Sequence, residues 1–166
     1  MNNHNNYTRF QLVFILLLRF ATGWHLLYEG VAKLLNPAWS SAGFLQESQW
    51  LLSGFARWVV SDPAILNAVD FLNTWGLIAI GLGLIMGMFF RLAAVSGAVL
   101  LLVYYLNCPP LVGLEYSIPR DGNNLIVDKT LIEAIALMVL ALFPTSKVFG
   151  IDALISRFKK KGGEND

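Results

Sequence analysis

The sequence predicts an all-α integral membrane protein: a four-transmembrane-helix bundle with an amphipathic interfacial helix between spans one and two. Three observations lead there. Hydrophobic residues make up 56% of the chain and charged residues only 14%, against roughly 45–50% and about 25% in ordinary soluble domains. Stretches at about 10–33, 74–90, 92–106 and 130–143 are apolar enough to serve as membrane spans, each of which takes about 20 helical residues. The basic residues are also grouped rather than scattered, with Lys147, Arg157, Lys159, Lys160 and Lys161 crowded toward one end.

Each span must be helical, because the bilayer core offers no water to satisfy backbone polar groups. The first resembles a secretory leader, since an apolar run follows Arg9. Arg19 interrupts that run and no small-residue cleavage pattern follows, so an uncleaved first span is expected. The segment at about 43–60 carries Phe44, Leu45, Leu51, Leu52, Phe55, Trp58 and Val59 at helical spacing. It is expected to form one helix lying in the membrane interface. Trp39, Trp50, Trp58 and Trp75 suit that level.

Asp62-Pro63 reads as an N-cap followed by proline at the first helical position, which starts the second long helix at Pro63. Gly76, Gly81, Gly83 and Gly87 give that helix a small-residue face, as Ala93, Ala94 and Gly97 do for the third span. Such faces let membrane helices approach closely. Arg91 is expected in a turn of almost no length between spans two and three. Spans three and four are short by apolar count, so their ends rely on Tyr104, Tyr105 and Lys129 at the interface.

The whole chain, 1–166, reads as a single membrane domain with no internal repeat. Four spans put Arg9, Arg91 and the basic tail at 147–166 on one side. Lys33, Arg57, Arg120 and Lys129 fall on the other. The positive-inside rule then predicts cytoplasmic N- and C-termini in a bacterial-type inner membrane. The net charge of +1 argues against a nucleic-acid partner, which needs a basic surplus. The single cysteine, Cys108, excludes an intrachain disulfide and any multi-cysteine metal site.

The strongest chemical signal lies in span one. Arg19, Thr22, His25, Glu29 and Lys33 share one face of a helix. Lys33 stands roughly 21 Å beyond Arg19 at 1.5 Å per residue, so a polar stripe is expected from mid-bilayer to the outer surface. Ionisable groups at that depth normally face the bundle interior and pair. Glu133 of span four is the expected partner of Arg19, and Asp128 a partner for Lys33 or His25. The plainer alternative is an Arg–Glu pair that only fixes packing, with Lys33 snorkelling to the interface.

His25 is suited to carrying protons beside Glu29, because imidazole as a type titrates near neutrality. It lacks a second histidine for haem, since His4 is in the N-terminal tail; no haem or metal is expected. The Gly81, Gly83 and Gly87 spacing does not fit a dinucleotide loop and no strand precedes it. No P-loop, triad or zinc motif is present.

The run Arg19, Gly23-Trp24, Leu27-Tyr28-Glu29-Gly30, Lys33 and Asn36-Pro37-x-Trp39 resembles the DoxX/DoxD family of small membrane proteins. Leu82-Gly83-Leu84 through Gly87, with Arg91-Leu-Ala-Ala, is similar to that family's second signature. The long segment with Trp50 and Trp58 looks more like the DoxD branch. The similarity covers about 9–150.

The resemblance implies a four-helix membrane fold and a subunit of a thiosulfate:quinone oxidoreductase, or a related assembly delivering electrons to quinone. Arg19, Glu29 and Lys33 match the polar positions of the first motif.

Together these lines predict a quinone-binding pocket between spans one and four, opening outward. Arg19 and His25 would bond the quinone carbonyls, Glu29 supply protons, Lys33 set the local charge, and Glu133 complete the set. Trp24 and Tyr28 are candidate ring-packing residues. Expected partners are the lipid bilayer and a protein subunit or second copy that brings electrons. Two other classes remain open: a small-solute or lipid transporter, and a structural anchor of a membrane complex. From 10 to 18 only Gln11 is polar, so the stripe is one-sided and favours a pocket over a channel.

Overall fold

The computed structural model describes residues 8–117, 125–143 and 150; the basic tail expected at 147–166, Gly150 excepted, and Arg120 lie outside the described residues. All regular structure within the described residues is helical: α1 (Arg9–Leu34), α2 (Ala42–Gln46), α3 (Ser53–Ser61), α4 (Pro63–Met86), α5 (Phe90–Asn107) and α6 (Lys129–Leu142). Three of these, α1, α4 and α5, are long and apolar enough to cross a membrane. The fourth expected span, α6, has 14 described helical residues, about 21 Å of helix against a hydrocarbon core of about 30 Å.

Local chemistry sets the helix starts. Thr8 caps α1 through a capping box in which Gln11 answers with its own side chain. Asp62 caps α4 by accepting from Ala64 N, and Pro63 follows at the first helical position. Asp128 caps α6 by accepting from Leu131 N at 2.8 Å. That duty replaces the expected pairing of Asp128 with Lys33 or His25.

The α4 helix stops at Gly87, whose φ of +67° is a left-handed C-cap that glycine adopts without penalty. The turn is 87–89, and Arg91 lies one residue inside α5 rather than in the turn.

The helices α1, α4, α5 and α6 pack as an antiparallel ring in that order, with α6 returning to α1. Small residues make the α1–α4 contact close. A Cβ on Gly81 would stand 2.6 Å from Leu27 N and 2.7 Å from Gly23 O, and one on Gly30 would meet Ile78 N at 2.9 Å. Gly97 serves the same purpose on α5, where Leu137 of α6 and Ile80 of α4 close over it. Leu26, Ile80, Gly97 and Leu137 therefore form one layer at the middle of the bundle. Gly76 has nothing near it and takes no part in the expected small-residue face.

The α1 and α4 helices are offset along their common axis. Arg19 meets the last turn of α4, so the ten residues before it, about 15 Å of helix, run past the α4–α5 turn. At the opposite end α4 rises past the C-terminus of α1, and α3 packs against it.

The segment at 43–60 is not one helix. It forms α2 and α3, separated by non-helical residues at 47–52. Tertiary bonds take over where the helix breaks: Gln49 Nε2 donates to Glu115 O at 2.6 Å, and the Glu47 carboxylate accepts from Ser117 N at 3.0 Å. These bonds tie 47–52 to the chain that follows α5. They override a periodicity that would otherwise continue the helix.

Candidate functional site

The expected polar stripe exists on α1, but its members separate to three neighbours. Arg19 is fully buried. Its Nε donates to Leu84 O at 2.5 Å and its Nη2 to Ile85 O at 3.1 Å, while its Cζ lies 5.0 Å from the Phe90 ring centroid. Leu84 and Ile85 belong to the last turn of α4, where carbonyls lack helical partners and the helix dipole is negative. A guanidinium suits both needs, because its donors fork toward two acceptors.

Arg19 thus acts as a C-cap delivered from another helix. This corrects one expectation, since Glu133 is not its partner. Arg19 sits level with the α4–α5 turn.

The central polar group is instead His25 with Glu133. His25 Nδ1 lies 2.8 Å from Glu133 Oε1 and 2.9 Å from Oε2, joining α1 to α6. A carboxylate facing Nδ1 assigns the proton to that nitrogen, leaving Nε2 as the ring's second hydrogen-bonding atom. The His25 side chain is 53% exposed on the outer face of the bundle and Glu133 16%. His25 adjoins Leu26 of the mid-bundle layer, and Glu133 stands one turn from Leu137 of that layer, toward the start of α6.

One turn further along α1, Glu29 is exposed, and its Oε2 lies 4.0 Å from Lys33 Nζ. Lys33 is covered by two rings, with Nζ 5.1 Å from the Trp39 centroid and 5.5 Å from that of Tyr104 on α5. Such contacts attract a cation to the π face. Trp24 and Tyr28 both project outward and are largely exposed. Tyr28, three residues from His25, flanks it on the helix surface.

The structure therefore brings together His25 and Glu133, with Glu29 one turn and Lys33 two turns further along α1; it separates Arg19 from all of them. Charge counting missed the polar contacts at the α2–α3 end. Tyr104 Oη donates to Asn73 Oδ1, and the Asp70 carboxylate accepts from Ser41 N and Oγ. Asn73 and Asp70 within an otherwise apolar helix were the available signal. Among the described residues no group of three His, Cys, Asp or Glu side chains is placed to hold a metal ion. No protein-family model, curated protein or solved structure matches this chain.

Proposed function

We propose that the chain is a membrane subunit of a quinone-linked oxidoreductase system, DoxD-like, in which His25 and Glu133 hold the quinone head group. The observation that carries this reading is the His25–Glu133 pair: an imidazole hydrogen-bonded to a carboxylate between the ends of the bundle and open to the side. Quinones dissolve in the bilayer, so a site reached sideways from lipid suits them better than one reached only from water. The residues fit a quinone carbonyl, because His25 Nε2–H, when the ring carries its second proton, can donate to it while Glu133 steadies the charged ring.

Quinone, when bound, supplies a two-electron acceptor. His25 orients the head group, Glu133 fixes the ring's tautomer and angle, and Tyr28 offers an adjacent ring face. Glu29, exposed one turn outward, is the entry point for protons, and Lys33 balances its charge. Arg19 keeps the α4 end intact and stands outside this set. A partner subunit brings the electrons, and a small sulfur donor is the source that the family resemblance implies.

In this reading the chain forms four spans in a bacterial-type inner membrane, with α6 completing the fourth, α2–α3 lying in the outer interface, and both termini cytoplasmic. The test is purification in mild detergent, solvent extraction and a borohydride-reduced minus oxidised ultraviolet spectrum. Near-stoichiometric quinone, lost in a folded His25→Ala variant, is the expected result. A folded wild-type preparation without quinone moves the assignment to the anchor class.

A further inference from the structure

A cavity of about 210 Å³, open along one side, lies at the α2–α3 end, between those two short helices and the facing sides of α4 and α5. It contains neither His25 nor Glu133, so a ligand bound there is independent of the quinone reading. Phe44, Leu52 and Phe55 form one wall, and Val69 and Leu100 form the other. None of the described residues lining it carries a charge. Phe44 meets Tyr104 edge to face, with centroids 5.7 Å apart and planes at 69°.

The polar atoms at the lining are largely committed. Ser41 is held by Asp70, and Asn107 Nδ2 donates to Phe44 O. Asn73 is different. Its Oδ1 accepts from Tyr104, which leaves the amide N–H donors and a lone pair on the Tyr104 oxygen for a ligand. The cavity thus has dry walls and one neutral donor–acceptor corner, the arrangement that fixes the orientation of a small apolar ligand.

Size narrows the class. An apolar cavity of about 150 Å³ takes benzene. At about 210 Å³ there is room for one six-membered ring with a short substituent. An ionised ligand would be desolvated against a lining that itself carries no charge.

The geometry points to a binding site for a neutral single-ring compound bearing one hydroxyl or carbonyl, a phenol or cyclic ketone, with its oxygen at Asn73 and Tyr104. The apolar edge of the ligand packs against Phe44, Phe55 and Leu100. Because the roof is built from α2 and α3, which meet the rest of the chain through a few bonds at 41, 44 and 47–49, a ligand there adds to the joints between that segment and α4 and α5.

The experiment is equilibrium dialysis of 4-propylphenol against the full chain in phospholipid nanodiscs, with protein-free nanodiscs as the reference for partitioning. One saturable site per chain is expected. Val69→Phe fills the cavity and is expected to weaken binding at least about tenfold. Asn73→Leu keeps the volume but removes the polar corner; it is expected to weaken 4-propylphenol about tenfold while leaving propylbenzene unchanged. If Val69→Phe does not fold, Leu52→Trp fills the cavity from the opposite wall and carries the same expectation.

Uptake no greater than in protein-free discs overturns the assignment, as does unchanged affinity in a folded cavity-filling variant. Binding in detergent that vanishes in phospholipid discs also overturns it, and identifies a lipid acyl chain as the occupant.

Discussion

Nδ1 of His25 lies within 2.9 Å of both carboxylate oxygens of Glu133, across 108 residues of chain. This is the polar tie between α1 and α6, the two helices that close the ring. Elsewhere small residues and aliphatic side chains seal the ring, with Arg19 bonded to the end of α4 and Tyr104 to Asn73. A hydrogen-bonded pair at the closing seam fixes the register of α6 against α1, which apolar packing alone leaves open to slippage. On the proposed function, the same pair is what a ligand arriving from the side would meet.

That geometry predicts a measurable coupling. His25→Ala and Glu133→Ala are each expected to lower stability, and the double variant to lose less than their sum, giving a coupling of about 1 kcal/mol. Glu133→Gln keeps an oxygen that accepts from Nδ1 and is expected to cost less than about 0.5 kcal/mol. Chemical unfolding in mixed micelles, followed by circular dichroism, reads all four. Strict additivity would mean that the two side chains do not interact in the folded protein.

Glycine substitutions separate packing from helix propensity. At Gly81 a Cβ would strike backbone atoms of Leu27 and Gly23, which no rotamer change relieves. Gly81→Ala is therefore expected to push α1 from α4 and cost about 2–3 kcal/mol. At Gly76 nothing lies within 4 Å, so Gly76→Ala is expected to leave stability unchanged or raise it by about 0.5 kcal/mol. Thermal unfolding of both variants in one detergent decides the matter, and equal effects would refute the packing assignment.

Much of the fold was legible because it is written in local chemistry. Asp62-Pro63 starts α4 as its capping chemistry dictates, and the small-residue face read on that helix holds at Gly81, where a Cβ would strike the backbone of α1. The partners were less legible. Charge counting paired Arg19 with Glu133, since opposite charges in an apolar setting attract. It overlooked the carbonyls of Leu84 and Ile85, which are invisible to any count of side chains yet carry the negative end of α4. Once Arg19 is satisfied there, Glu133 is available to His25. The division of 43–60 into α2 and α3 had the same origin, because Gln49 and Glu47 bond to residues 115 and 117, contacts that periodicity does not encode.

Arg19 as a helix cap makes a prediction opposite to Arg19 as a ligand-binding group. Arg19→Met removes the donors to Leu84 O and Ile85 O and leaves buried carbonyls without them, at an expected cost of about 2–4 kcal/mol. Arg19→Lys keeps the charge at the C-terminal end of α4 but loses the fork, and should fall about midway. Unfolding midpoints of both variants, together with quinone content per folded protein, provide the check. A ligand-binding role would instead show full stability and lost quinone.

The position of α6 decides whether the chain crosses the membrane three times or four. Its 14 described helical residues reach only about 21 Å, yet Leu137 and Leu140 are fully buried and Ala134 packs with them in the common core. On the proposed reading α6 makes the fourth crossing, which would put the two ends of the chain on one side and the α2–α3 end on the other.

Single-cysteine labelling with a membrane-impermeant maleimide tests this, since the native Cys108 is buried and is expected to give little background. In intact spheroplasts Gln49→Cys is expected to react, whereas Thr8→Cys and Glu164→Cys react only after permeabilisation. Thr8→Cys and Glu164→Cys on opposite sides would establish three crossings and leave α6 a helix that packs against the bundle without traversing the bilayer.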